Sequence, residues 1–255
     1  MNIKAPNRKK TAVLNSSIGL ICMIVPIFLQ FFSRKFFLEY LNVEYLGISG
    51  TFTSILSTLS LSELGLQIAI VYCLYKPLKE NDSSLVNKLM NVMRVIYKWI
   101  GIGFIIFPLF CIPLLSYILK DTVVDNNIRL CFMLESFGSA TTYFLAYKRA
   151  LLYADQKEYI AKIVDLICNL IFVSLQLYML YRMQSYVVFC IVNCVRALTS
   201  NVIVNICCNQ LYPYLHEEPI SKEVFNEVWK YTKNIIVLRL AAYVYQSTDN
   251  LVFLQ

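Results

Sequence analysis

Apolar residues along this chain come in long runs broken by short polar segments, with little of the two-residue alternation of strands. A bilayer core about 30 Å thick needs about 20 apolar residues of helix to cross it. Backbone groups in lipid must bond internally, so helices are the default there. The runs predict six spans and the start of a seventh. The first covers Thr11–Phe32, with Pro26 as a bend, and the second Leu46–Tyr75. The third covers Val92–Leu119, bent by Gly101, Gly103, Pro108 and Pro113. Ile128–Tyr147, Ile163–Tyr181 and Tyr186–Cys208 follow, and a seventh run starts near Asn234 and is still apolar at Gln255. Polar punctuation falls at Lys76–Asn87, Lys120–Asn127, Lys148–Lys162, Arg182–Gln184 and Gln210–Lys233.

The expected fold is therefore all-α, a polytopic membrane helix bundle. One six-helix lobe occupies 1–210, and a cytoplasmic linker occupies 211–233. A truncated seventh transmembrane helix over 234–255 opens a second lobe, so the chain reads as a fragment. Within the linker, Val224, Phe225, Val228 and Trp229 recur at i, i+1, i+4 and i+5, on one helical face. That spacing fits a short helix lying in the interface or, equally, an N-terminal extension of the seventh span.

Composition supports lipid as the solvent. The chain is 58% hydrophobic and 15% charged, against about a quarter charged for a soluble domain, and its mean hydropathy is +0.59. The net charge of +7 would suggest nucleic acid in a soluble protein; here it bears on orientation, and no nucleic-acid partner is expected. With the N-terminus inside and the spans alternating, sixteen of the 23 lysines and arginines fall on inside segments or the adjoining span ends and five on the outside ones, while Arg196 and Arg239 lie deeper within spans. That bias places the N-terminus in the cytoplasm. The basic start followed by Thr11–Phe32 resembles a signal peptide, but the run exceeds the usual 7–15 residues and no small-x-small site follows.

Enzyme chemistry is poorly supplied. Most of the nine cysteines sit inside apolar runs as small hydrophobes, and the single histidine, His216, falls in a polar segment. No Gly-rich phosphate loop or nucleophile elbow is present. Asp121 and Asp125 read as solvated loop charges. No cofactor, no metal site and no enzymatic activity are expected.

Charges inside spans are costly and are functional candidates by default: Glu63, Glu135, Asp165, Arg196, Arg239 and Asp249. Glu135 and Asp165 lie near span ends, where a charge can reach the headgroups instead. Glu63 and Arg196 are deeper, and either pair structurally or line a polar cavity. Asp249 sits among Gln246, Ser247, Thr248 and Asn250, a cluster suited to a water-filled path. The second span is rich in Ser and Thr, which favours close packing or a cavity lining over lipid.

Several segments carry a resemblance. Tyr45-Leu46-Gly47-Ile48-Ser49-Gly50 and Leu59-Ser60-Leu61-Ser62-Glu63-Leu64-Gly65-Leu66 resemble the second helix of polysaccharide transporters. Ile70-Val71-Tyr72-Cys73-Leu74-Tyr75-Lys76-Pro77-Leu78 and the loop Tyr147–Lys157 are similar to the same group, and Ser247-Thr248-Asp249-Asn250 looks like its seventh-helix motif. The family is that of the Wzx-type O-antigen and capsule flippases, in the multidrug/oligosaccharidyl-lipid/polysaccharide exporter superfamily.

That resemblance implies two six-helix lobes around a central cavity, a multi-pass protein of the bacterial inner membrane, and transfer of undecaprenyl-diphosphate-linked oligosaccharide from inner to outer leaflet for surface polysaccharide such as lipopolysaccharide. Its partners would be that glycolipid, the bilayer and a coupling cation. A diphosphate calls for cationic contacts, and arginine suits it best, so Arg34, Arg196 and Arg239 are the substrate-binding candidates, with Glu63 and Asp249 beside them. Lys35 is a weaker candidate of the same kind, and for both Arg34 and Lys35 the role of interfacial anchor is the preferred one. The alternatives are a cation-coupled drug antiporter of the same superfamily, which would favour Glu63 and Asp249 over arginine, a membrane-embedded glycan polymerase, which would want larger outside loops, and a non-transporting scaffold.

Overall fold

The computed structural model describes residues 8–60, 66–119, 126–233 and 235. Every element among the described residues is helical: α1 (Arg8–Ser60), α2 (Leu66–Glu80), α3 (Ser83–Ile118), α4 (Asn126–Ala146), α5 (Arg149–Ala154), α6 (Glu158–Met183) and α7 (Tyr186–Leu211), then α8 over 222–233.

α1 is two helical arms meeting at Asn42, whose φ of 72° and ψ of 163° lie in a region that side chains other than glycine avoid. The break reverses the chain. The first arm runs parallel to α6: Asn15 Nδ2 donates to the Gln156 carbonyl at 2.8 Å, and Tyr40 meets Tyr181 edge-on at 6.1 Å. The second arm returns past Tyr186, with Tyr45 at 5.0 Å, and then Phe132, with Phe52 at 4.9 Å.

Chain direction alternates through the remaining long helices. α3 and α4 are antiparallel, with Tyr143 against Phe104 at 4.6 Å and Ile128 in one apolar cluster with Leu115. α4 and α7 run parallel, tied by Glu135 to Asn193 and by Thr142 to Asn201. The core accordingly divides in two. One cluster, around Phe37, Phe52, Leu115, Phe132 and Cys190, fills one end of the bundle. The other, around Ile70, Met93, Leu151, Val204 and Val228, fills the opposite end.

Among the described residues, four helical stretches are long and apolar enough to cross a membrane: Asn15–Thr58, Ser83–Leu115, Glu158–Met183 and Tyr186–Leu211. Their outward positions carry large apolar side chains at helical spacing, such as Leu20, Ile24, Phe28 and Phe31 on α1 and Ile167, Ile171 and Tyr178 on α6. A contiguous apolar exterior of this extent is compatible with a membrane protein. α4 is more polar because it sits inside, between α3 and α7. Ser136 and Thr141 return their hydroxyls to the carbonyls of Phe132 (2.8 Å) and Gly138 (2.7 Å). At Gly138 an added Cβ would lie 3.5 Å from the Cys194 Cα, the close approach that small residues permit between membrane helices.

Two expectations shift. The polar segment Lys76–Asn87 is almost wholly helical; only Asn81 and Asp82 turn the chain, and the Asp82 carboxylate caps α3 by accepting from the Leu85 amide at 3.0 Å. The four apolar residues grouped on one face of the linker also divide. Val224 and Val228 are buried with Thr232, whereas Phe225 and Trp229 are exposed. α8 packs along α2, with Tyr231 against Tyr72 at 5.1 Å.

Candidate functional site

α4, α6 and α7 enclose a seam of polar side chains between apolar layers. At one end, Arg149 at the start of α5 reaches back to α6 and holds Asp165 with both terminal nitrogens, at 2.7 and 2.8 Å. The same guanidinium donates to Asn201 at 3.2 Å and Ser200 at 3.3 Å on α7. Ser200 in turn donates to Asp165. Burial works against the Arg149 charge, but the hydrogen bonds and charge of Asp165 outweigh it and raise its pKa above the ordinary arginine value.

Deeper in the seam, Arg196 donates to Asn169 at 3.1 Å and reaches Asn193 at 3.5 Å. Asn193 donates to Glu135 at 3.2 Å. A carboxamide thus bridges an acid and a base from two helices, and each charge gains partners inside the fold. The Arg196 Nε is buried with no hydrogen-bond partner among the described residues. Beside the seam, Lys148 donates to Asn205 at 2.8 Å and to Asn209, and burial lowers its pKa.

The seam opens on a cleft of about 320 Å³ between α6 and the first arm of α1. Lys162, Asp165 and Asn169, at i, i+3 and i+7 on α6, face Gly19, Cys22 and Pro26 on α1. Lys162 is paired with Glu158 at 2.7 Å. Asp165 and Asn169 are shared, since both line the cleft and both bond the arginines behind it. The charged residues that line the cleft are Lys162 and Asp165, one of each sign, so the lining's formal charges balance. Such a lining offers hydroxyl-binding donors and acceptors without a strong field.

A second polar surface lies on the returning arm of α1. Thr53, Ser54, Ser57 and Thr58 are exposed on it. Their hydroxyls are satisfied by carbonyls one turn back: Thr53 to Ser49 at 2.9 Å, Ser54 to Gly50 at 2.9 Å and Thr58 to Ser54 at 3.0 Å. This hydroxyl stripe contrasts with the apolar outer faces of the first arm and of α6.

Of the residues singled out from sequence, Arg196 sits in the seam. Arg34 is exposed on the first arm of α1 toward the opposite end of the bundle, and the structure does not bring the two together. Glu63, Arg239 and Asp249 lie outside the described residues. Glu135 and Asp165 are engaged by Asn193 and Arg149, as described. Sequence reasoning missed the asparagines. Asn193, Asn201, Asn205 and Asn209 recur at multiples of four along α7, a slowly winding stripe of neutral amides that a search restricted to charges passes over. No protein-family model, curated protein or solved structure matches this chain.

Proposed function

We propose that this chain spans a bacterial inner membrane with its N-terminus in the cytoplasm, and that it forms the six-pass lobe of an exporter. The exporter carries undecaprenyl-diphosphate-linked oligosaccharide from the inner to the outer leaflet. The observation that carries this reading is the exposed hydroxyl stripe Thr53, Ser54, Ser57 and Thr58, set against the apolar outer faces of the first arm of α1 and of α6. A polar helix face at membrane depth belongs beside water or protein, not lipid. Opposite a second lobe it becomes the wall of a hydrated path, where hydroxyl-rich sugar exchanges hydrogen bonds at little cost.

The charge-balanced cleft at Asp165 and Asn169 supports the same reading, because it suits a neutral polyhydroxylated group. Arg34 and Lys35, exposed toward the other end, are better placed for phosphate than Arg196, which is half-buried and shares its terminal nitrogens with two asparagines. The resemblance of the second-span and loop motifs to polysaccharide transporters supports the choice of substrate.

The test is leaflet transfer in proteoliposomes. The protein is reconstituted with an undecaprenyl-diphosphate oligosaccharide carrying a fluorescent sugar, and an impermeant reductant bleaches the outer leaflet. The reading expects bleaching to continue past the outer-leaflet fraction, and to slow with Ser54→Leu. Bleaching that stops where it stops in protein-free vesicles would contradict it.

A further inference from the structure

α8 has two unlike sides. Val224, Val228 and Thr232, at four-residue intervals, are buried, and Tyr231 packs on Tyr72 of α2. A flanking side carries Lys222, Phe225, Trp229 and Lys233 at intervals of three, four and four, and all four are exposed. Phe225 and Trp229 stack with ring centroids 6.5 Å apart and planes 11° apart. The Lys233 ammonium sits 5.5 Å from the Trp229 ring centroid. The next exposed row carries Glu223, Glu227 and Lys230 at i, i+4 and i+7, so Lys230 sits between the stripe and the two acids. On α2, Tyr72, Tyr75, Lys76 and Lys79 are exposed at the same end of the bundle.

An aromatic pair left 39% and 44% exposed and framed by lysines suits neither bulk water nor acyl chains alone. Aromatic rings of this kind sit at the headgroup level, where one edge is apolar and the other wet. Lysines beside them keep their stems on apolar surface and carry the ammonium to the phosphates. A basic stripe next to a helix end favours anionic over zwitterionic lipid.

We propose that the outer face of α8, with the neighbouring end of α2, is a docking surface for anionic phospholipid headgroups of the leaflet at that end. Lys222, Lys230 and Lys233 contact the phosphates, and Phe225 and Trp229 lie at the top of the acyl chains. This rests on the membrane-spanning reading, and is independent of which solute is exported.

Trp229 is one of only two tryptophans, so Trp99→Phe makes it the sole reporter. The protein is placed in nanodiscs of phosphatidylcholine containing a minor fraction of acyl-brominated phosphatidylglycerol, or of acyl-brominated phosphatidylcholine at the same mole fraction. Trp229 emission should be quenched by both, with at least about a twofold excess for the anionic lipid. Lys222→Gln, Lys230→Gln and Lys233→Gln together, all at exposed positions, should remove that excess and keep the residual quenching. Equal quenching by the two lipids in the lysine-bearing protein overturns the proposal, as does an excess that survives the triple substitution. Absence of quenching by either lipid, in protein that has entered the discs, overturns it too. Protein that cannot enter the discs would instead defeat the membrane reading itself, and leaflet transfer without headgroup selection would defeat only this inference.

Discussion

The clamp of Arg149 on Asp165 should be the strongest single polar link in the bundle, and its size follows from its geometry. Two hydrogen bonds of 2.7 and 2.8 Å join the groups, and the Arg149 side chain is 16% exposed. Breaking a fully buried pair by removing one partner costs about 3–5 kcal/mol. The Asp165 side chain is 46% exposed, so water screens and partly replaces the lost partner, which moves the figure toward the 0–1 kcal/mol of surface pairs. Arg149→Met keeps the apolar stem but also removes the donors to Ser200 and Asn201, so a loss of about 2 kcal/mol is expected. A double-mutant cycle with Asp165→Asn isolates the pair, and its coupling should be about 1–2 kcal/mol. Denaturant unfolding of the four proteins in one detergent measures it. Coupling within about 0.3 kcal/mol of zero would refute the reasoning and leave the clamp as geometry without energetic consequence.

Asn42→Gly should raise stability by about 1 kcal/mol, because it removes a strained backbone conformation at the cost of some unfolded-state entropy; Asn42→Val should lower it, and unfolding midpoints decide between the two outcomes. At Gly101 an added Cβ would lie 2.9 to 3.1 Å from the Phe144 ring. Gly101→Ala should therefore cost about 1–2 kcal/mol, and the pair Gly101→Ala/Phe144→Leu should be more stable than the sum of its single changes. Tyr212 donates to the Asp155 carboxylate at 2.7 Å, and burial first, then that neighbour, raises its phenol well above the ordinary value. The unfolded chain therefore ionises first, and stability falls as pH rises through about 10. Tyr212→Phe should lose about 1 kcal/mol at neutral pH and show less of this alkaline decline, read from melting temperatures at about pH 8 and 11.

What the sequence made legible was the helical class and the rough placement of the apolar runs, because lipid-scale hydrophobicity is carried by single residues added along a window. Helix ends were less legible. α3 begins at Ser83 and not near Val92, because Asn87 and Asn91 point their amides inward, to the carbonyls of Tyr214 (3.2 Å) and Glu218 (2.6 Å). Polar residues that bond another segment look like loop in a linear reading. Asp82 before Ser83 was the available capping signal.

The seam was only half visible. A charge within an apolar run announces itself, so Arg196, Glu135 and Asp165 stood out. Nothing local identifies Asn193 as the bridge between Glu135 and Arg196, since that requires knowing that α4 and α7 run side by side. Pairing Arg149 with Asp165 likewise depends on the turn at Asp155–Lys157, which folds α5 back along α6. Neither end of the linker's apolar quartet could be assigned from periodicity alone, because Val224 and Phe225 differ by only one step around the helix.

The most direct measurement of the membrane bundle is side-specific cysteine labelling. The nine native cysteines all lie within helices, so single substitutions in the turns can be read against the unsubstituted protein with an impermeant maleimide. The account predicts that Gln184→Cys, between α6 and α7, labels in intact cells, whereas Glu217→Cys, between α7 and α8, labels only after the membrane is opened. Labelling of both positions from the same side would contradict it, because the two ends of the bundle would then share one compartment.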